Sequence, residues 1–463
     1  MESFCLIIIR NPCTLNPGNR IKYVQVVVDM KVELHYGRGL LPLQIPEDNI
    51  EELIQPWQEP QDEGKADNSA FLWSAIDAAG AEADNFQREI AGKCLCVLTE
   101  DGTRDVPFFD TFGQLFALLQ SSSQVRFIIC TGTHDADTAE NNRIKGQIEE
   151  AGRKAGLADF KIHAHDCQRD SFVNAGQTSR GTEILFNSEA DDADVFLVLS
   201  DMKCHYFAGY SNPIKNFVPG ICAYQTAEQN HSLALDKNST FGLHPWHSDV
   251  SRRSNPVAED QLEGMRLILK ARPVYALATI STSRKIQWAR FGPVEPVTRE
   301  AFDKIDRRNT HTVRPVGRLI VSPGGFPNDV SLYIAQRALE LTKNAVADGG
   351  EILFLAACPN GIGEERTIEN FYNLLTAPID QILKSIERRY KLYSHKPYKF
   401  ARLIQRLRKI WMYSHIPDDI IEPAHLHPAH NPQAVVDNWL TEEQDARITV
   451  VDGANKIALY AKT

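Results

Sequence analysis

The sequence contains no apolar run of about 18 residues or more, so no segment is long enough to cross a bilayer as a helix. Residues 5–9 (CLIII) are too short for a secretory core, and no cleavage site is evident after them. Internal repeats and low-complexity tracts are also missing. Neither a P-loop pattern nor a GxGxxG following a strand occurs, which argues against ordinary nucleotide hydrolysis and NAD chemistry. HExxH and paired CxxC, the common zinc signatures, are absent as well. Positive charge is in deficit: 50 Lys and Arg against 60 Asp and Glu leave a net charge of −10. An extended basic face for nucleic acid is therefore not expected. The nine cysteines are scattered and odd in number, which fits a reducing compartment, and a cytoplasmic protein is expected. Cys94 and Cys96 lie inside an apolar run and read as a buried strand rather than a metal clip.

What is present is an ordinary globular composition over 463 residues, with 43% hydrophobic and 24% charged residues. At roughly 150 residues per domain this length suggests two or three domains. From about residue 94, short apolar runs alternate with helical patterns, at 94–99, 126–131, 195–200, 274–280, 318–322, 352–357 and 448–451. Helical periodicity fills intervals such as 138–155, 329–345 and 378–390. This alternation signals parallel sheets with crossover helices. The expected fold is two α/β domains with parallel-type sheets and an active-site cleft between them. The first domain is placed at 30–300 and the second at 301–463. Residues 1–29 read as an extension, because Met30 opens the first clean strand pattern, KVELHYG. The Pro-punctuated stretch 283–313, poor in strand signals, is expected to be the domain connection.

In open α/β sheets, ligands bind outside the carboxyl ends of the strands. Reactive residues cluster in just those places here: Asp101 and Arg104 after the first run, His134 after the second, His205 and Lys215 after the third. Most of the 14 histidines have a plain explanation. His425, His427 and His430 fall in a Pro-rich loop, and His163 and His165 alternate on a strand. His244 and His247 have a spacing that suits a metal, but also a loop packed around Trp246. The segment 201–231, DMKCHYFAGYSNPIKNFVPGICAYQTAEQNH, stands apart. It combines His205, Lys215 and His231 with a small-residue turn at Gly209 that lets backbone approach a ligand. On residue types alone, a site and a solvated loop both remain open.

The run FAGYSNPIKNFVPG followed by NH closely resembles the signature of the nickel-pincer-nucleotide lactate racemases and their homologues. The resemblance continues with DGTR (101–104), GTH (132–134), NPVAED (255–260), SPGGFPND with LY (322–333), and SHKPY (394–398), and spans roughly residues 30 to 455. It implies an isomerase, a racemase or epimerase of a small 2-hydroxy acid, loaded by the enzymes that make the pincer nucleotide. That cofactor is a pyridinium mononucleotide with two sulfur-containing arms, one joined to a lysine, and its nickel is held by two sulfurs, a ring carbon and a histidine. Lys215 matches the lysine and His231 the nickel ligand. His134 and His205 match two catalytic histidines that exchange the hydroxyl proton while the α-hydrogen moves as hydride. Arg104 matches an arginine that grips the substrate carboxylate, and Asp101 is implied to orient that arginine or the cofactor. Tyr333 and the Gly324-Gly325 turn are implied to border the cofactor phosphate or the substrate. For His395 and Lys396 structural and functional roles stay open.

This chain departs from the pattern at three places. Asn212-Pro213 replaces a Gly-Gly, Asp135-Ala136 replaces an Arg-Pro, and Arg337 stands where the racemase has lysine. A second guanidinium beside Arg104 points to an acid larger or more polar than lactate. Two competing readings are a divalent-metal hydrolase using His134, His205 and His231, and a pincer-nucleotide-binding protein without turnover.

Overall fold

The apolar runs between residues 94 and 282 are buried nearly end to end. Six of the seven residues of Cys94–Glu100 are buried, as is every residue of Val195–Asp201. Continuous burial marks strands covered on both faces, which parallel sheets require. A computed structural model, which describes residues 29–57, 68–103, 115–282 and 284–462, pairs them accordingly. One six-stranded sheet has the order Lys285–Pro293, Val274–Thr282, Val195–Asp201, Cys94–Glu100, Gln124–Cys130 and Phe160–Ala164. All its neighbours are parallel except the edge strand Lys285–Pro293. The chain order reverses between Cys94–Glu100 and Val195–Asp201, so this sheet has a switch point there.

The crossover helices carry clear end signals. Ala139–Ala155 begins at Thr138, whose hydroxyl accepts from the Asn141 N–H at 3.1 Å, and stops at Gly156 with φ +71°. It packs Ile144, Ile148 and Ala151 inward. Pro256–Leu269 is capped by Asn255, whose side-chain oxygen accepts from Val257 and Ala258, with Pro256 in the first turn. That cap is the NPVAED motif.

A second six-stranded sheet is parallel throughout, in the order His427–Pro428, Lys409–Tyr413, Val346–Leu355, Val316–Val321, Ile448–Val451 and Ile50–Ile54. The chain accordingly divides into two units. One holds Pro56–Thr310 with Ser385–His395, and the other holds residues up to Gln55, His311–Lys384 and Lys396–Thr463.

Three expectations are corrected. Residues 30–55 belong to the second unit, because Ile50–Ile54 pairs with Ile448–Val451 at its sheet edge. The stretch 283–313 is structured rather than a bare connection. It holds the antiparallel strand Lys285–Pro293, the helix Val294–Asn309 and the strand Thr310–Val313, and the division falls after Thr310. The expected helix over 329–345 starts only at Leu332 and continues from Arg337 to Thr342. Asp329 is drawn into the preceding loop, where its Oδ2 accepts from the N–H groups of Gly37 (2.7 Å) and Ala357 (3.1 Å). Residues 1–28 and Arg104 lie outside the described residues. Among the described residues no helix is long and apolar enough to cross a membrane.

The core of the first unit contains Phe127 stacked on Phe116 with ring centroids 5.1 Å apart, both within a cluster that includes Leu197 and Phe291. Phe127→Ala is expected to cost about 3–5 kcal/mol in urea unfolding. A loss below about 1 kcal/mol would show that this core is not tightly packed.

Candidate active site

The switch point of the first sheet places the loop after Glu100 beside the loop after Asp201, and the loop after Cys130 flanks them. Asp101 is buried, and its Oδ2 lies 2.6 Å from His134 Nδ1. Its Oδ1 accepts from the Thr103 hydroxyl at 2.7 Å. An ionised carboxylate only accepts, so the His134 proton sits on Nδ1 and the lone pair on Nε2. Asp101, expected to orient an arginine or the cofactor, is seen here to hold a histidine. The turn carrying His134 is tied to the lysine segment by Gly132 N–H donating to Gly220 O at 3.0 Å.

His205 sits on a short hairpin, Lys203–His205 against Gly209–Ser211. Gly209 has φ +79°, and a Cβ there would lie 2.0 Å from Leu243 O. Only glycine fits this turn, a packing reason beyond any ligand approach. The His205 Nδ1 accepts from the Ala208 N–H at 3.2 Å, which leaves the ring proton on Nε2. His134 and His205 are thus held in opposite tautomers.

Asn212 and Pro213 explain how the lysine is presented. The buried Asn212 accepts from Ile214 N–H at 2.9 Å and donates to Tyr210 O at 2.9 Å, starting the single helical turn Ile214–Phe217. In the run Ser211–Gly220, every residue is buried except Lys215, which is partly exposed. Its ammonium lies 5.4 Å over the Phe207 ring.

His231 is on the helix Tyr224–Ser232, with a buried Nδ1 that has no hydrogen-bond partner of good geometry. Burial, helped by the Lys215 charge, pushes its imidazole down to about 3, against a weak pull from the Ala227 carbonyl. A neutral imidazole with a spare lone pair is the form that binds a metal.

Phe207 joins these groups. Its ring lies 4.5 Å from His205, 5.1 Å from His231 and 5.0 Å from His395, centroid to centroid. Sequence reasoning singled out neither Phe207 nor Tyr206, and left His395 open. The signal was the unbroken aromatic pair inside HYFAGYS and the SHKPY motif, but the contact between them spans almost 190 residues.

Tyr333 and Arg337 lie in the other unit. Lys396, whose role was open, donates to Tyr333 O and lies 3.8 Å over the Tyr333 ring. Arg337 sits at the start of its helix with Nε donating to Ile334 O at 3.1 Å. His247 Nε2 is 2.9 Å from Asp306, which also accepts from Tyr210 (2.7 Å) and pairs with Arg252. Burial raises the Asp306 carboxyl, but these hydrogen bonds hold it below the usual range. His244 packs on Phe302 with its Nε2 buried and unpartnered. His165 is fully buried, 2.9 Å from Cys222 O and 3.0 Å from Asn187, a structural role.

Two outcomes are expected. Gly209→Ala should lower the thermal midpoint and disorder the hairpin that presents His205, since its Cβ has no room; an unchanged midpoint would contradict the packing. The second concerns His244, which burial and then the His247 charge push down to about 3. Below about pH 6.5 the unfolded chain takes up a proton that the folded one refuses, so stability is full above that pH and falls on acidification toward 3. His244→Asn should remove that contribution. The stability difference between the two proteins should then change by about 1.4 kcal/mol per pH unit below pH 6. Parallel curves would contradict it.

The site can be set against known proteins. A family model described as the lactate racemase N-terminal domain matches residues 36–242, and the lactate racemase C-terminal domain matches residues 314–458. The lactate racemase of Thermoanaerobacterium thermosaccharolyticum is 25% identical over 349 residues, covering 72% of this chain and 76% of the relative. The lactate racemase of Lactiplantibacillus plantarum is 23% identical over 371 residues, covering 78% and 84%. In fold, the chain superposes on the Thermoanaerobacterium thermosaccharolyticum lactate racemase apoprotein with a TM-score of 0.78 at 20% identity, covering 93% of this chain and 100% of that one. A Thermotoga maritima protein gives 0.62 at 14% identity, with 86% and 100% covered. With both domain models matched in order over most of its length, the chain belongs to the lactate racemase family and is an isomerase of the racemase type.

Proposed function

We propose that this enzyme racemises or epimerises a small 2-hydroxy acid using a nickel-pincer nucleotide tethered to Lys215, with His134 and His205 as the acid and base. The observation that carries the reading is the pair of different partners at Nδ1, the Asp101 carboxylate for His134 and the Ala208 N–H for His205, which imply opposite tautomers. His134 offers a lone pair on Nε2 with Asp101 behind it. His205 offers a proton on Nε2. Inversion of a 2-hydroxy acid needs one group to take the hydroxyl proton on one side and another to return it on the other. The Asp101 carboxylate stabilises His134 once it is protonated, so that histidine accepts from one enantiomer. His205 gives its Nε2 proton to the substrate oxygen on the opposite side, and proton exchange with solvent then clears His134 and reloads His205.

The residues fit the implied cofactor. Lys215 is a partly exposed amine in a buried run, and His231 is a neutral imidazole with an orphaned nitrogen. When bound, such a group supplies a pyridinium that accepts and returns the α-hydrogen as hydride, with nickel beside it. His231 would hold the nickel and Lys215 the nucleotide arm, while Gly209 and Tyr333 would border the group. Arg104 would grip the substrate carboxylate through paired hydrogen bonds. Arg337 would contact a second polar group of the substrate, favouring an acid larger or more polar than the lactate named for the relatives. Loading would depend on the enzymes that build the nucleotide, in the cytoplasm.

The test uses protein co-expressed with those enzymes and incubated with enantiopure 2-hydroxy acids in heavy water. Optical rotation should decay while the α-hydrogen is retained; wash-in of deuterium at the α-carbon would overturn the hydride scheme. His134→Ala and His205→Ala should each lower turnover by about 10² to 10⁴-fold. Near-normal turnover in either would refute the two-histidine assignment. Lys215→Ala should abolish the added mass on that peptide without loss of fold, and a wild-type peptide with no added mass would remove the tether.

A further inference from the structure

Residues 385–395 belong to the first unit, although the chain on either side of them belongs to the second. They touch each element that carries a proposed site histidine. The Tyr393 hydroxyl donates to Thr133 O at 3.1 Å, one residue before His134. Leu392 N–H donates to Glu228 at 2.9 Å, three residues before His231 on the same helix. His395 Nε2 lies 3.1 Å from the Tyr206 hydroxyl, and Tyr206 is the neighbour of His205. Tyr393 itself has φ +78°, a left-handed backbone that a bulky residue adopts only where its surroundings over-determine it.

His395 is the central group. It is buried, with Nδ1 2.8 Å from the Tyr390 hydroxyl and Nε2 on Tyr206. The rings of His205, Tyr206, His395 and Tyr390 form a near-parallel series, with successive interplanar angles of 20°, 25° and 25°. The Tyr206 ring lies 5.1 Å from that of His205, centroid to centroid. Fixing the Tyr206 hydroxyl therefore fixes the plane against which His205 stacks. Phe207, edge-on to His205, Tyr206 and His395, closes the other side.

We infer that His395 is a positioning residue: by holding the Tyr206 hydroxyl through Nε2, it sets the ring plane of His205. The inference rests on the racemase reading given above. It assigns to Nε2 the part that matters, whereas a purely structural histidine would need both nitrogens alike. A glutamine amide reaches the place of Nε2, and an asparagine amide that of Nδ1.

The experiment compares His395→Gln, His395→Asn, Tyr206→Phe and Tyr390→Phe in the loaded enzyme. His395→Gln and Tyr390→Phe should keep kcat within a few-fold of wild type. His395→Asn and Tyr206→Phe should each lower kcat by on the order of 10 to 10²-fold with little change in KM, since a small misplacement of a reacting group costs that much. Their double variant should be no worse than the poorer single one, because both break the same link. A second readout needs no cofactor. In imidazole NMR spectra of the apoprotein, the His205 resonances should move in His395→Asn and Tyr206→Phe and stay in place in His395→Gln. Equal effects of the glutamine and asparagine variants, or unmoved His205 resonances in all, would overturn the inference. Should wild-type enzyme turn over no 2-hydroxy acid, the racemase reading falls, while the NMR arm still decides the positioning.

Discussion

The bond between the buried Asp101 carboxylate and His134 Nδ1 is the contact on which the rest of the site depends. It fixes which nitrogen of His134 is basic and supplies the charge that stabilises its protonated form. His205, edge-on to Phe207, is held the other way round by a backbone N–H. Two identical side chains are thereby made unlike, one poised to accept and one to donate, by the partner each finds at Nδ1. Neither arrangement would survive in a mobile loop. Asp101 sits at the carboxyl end of a fully paired inner strand, and the hairpin of His205 is locked by the close approach of Gly209 to Leu243.

The partly buried network around Asp306 supports the same hairpin. Tyr210, next to Gly209, donates to Asp306, and Arg252 bonds both that carboxylate and the Tyr210 hydroxyl at 2.8 Å. His247, which by spacing alone could have been a metal ligand, is a member of this network. A half-buried carboxylate that accepts from Tyr210, His247 and Arg252 loses part of its compensation if one donor leaves, so the network favours a single arrangement of the 203–253 segment. The placing of His205 in this way draws on contacts well outside the proposed site.

Much of this could be read from residues alone. Strands buried on both faces announce themselves as continuous apolar runs, so the inner strands at 94–100, 195–201 and 448–451 were plain. Loops at their carboxyl ends followed, with Asp101, His134, His205 and Lys215 in them. The edge strand Lys285–Pro293 was not legible, because the polar residues Lys285, Gln287 and Arg290 break its apolar pattern and make it resemble a charged connection. The placement of residues 29–55 was not legible either, since a strand at a sheet edge can join any sheet that offers a partner. His395 escaped for a related reason. Its partners Tyr206 and Tyr390 sit far apart in sequence or on its own segment, and a buried histidine between two phenols leaves no periodic trace.

The central claim is that the two histidines stand in opposite tautomers before any substrate arrives. Two-bond nitrogen–proton correlation spectra of the uniformly nitrogen-15-labelled apoprotein at pH 7.5, with His134→Gln and His205→Gln used for assignment, test it directly. The account predicts a proton on Nδ1 of His134 and on Nε2 of His205. The same tautomer in both rings would contradict it.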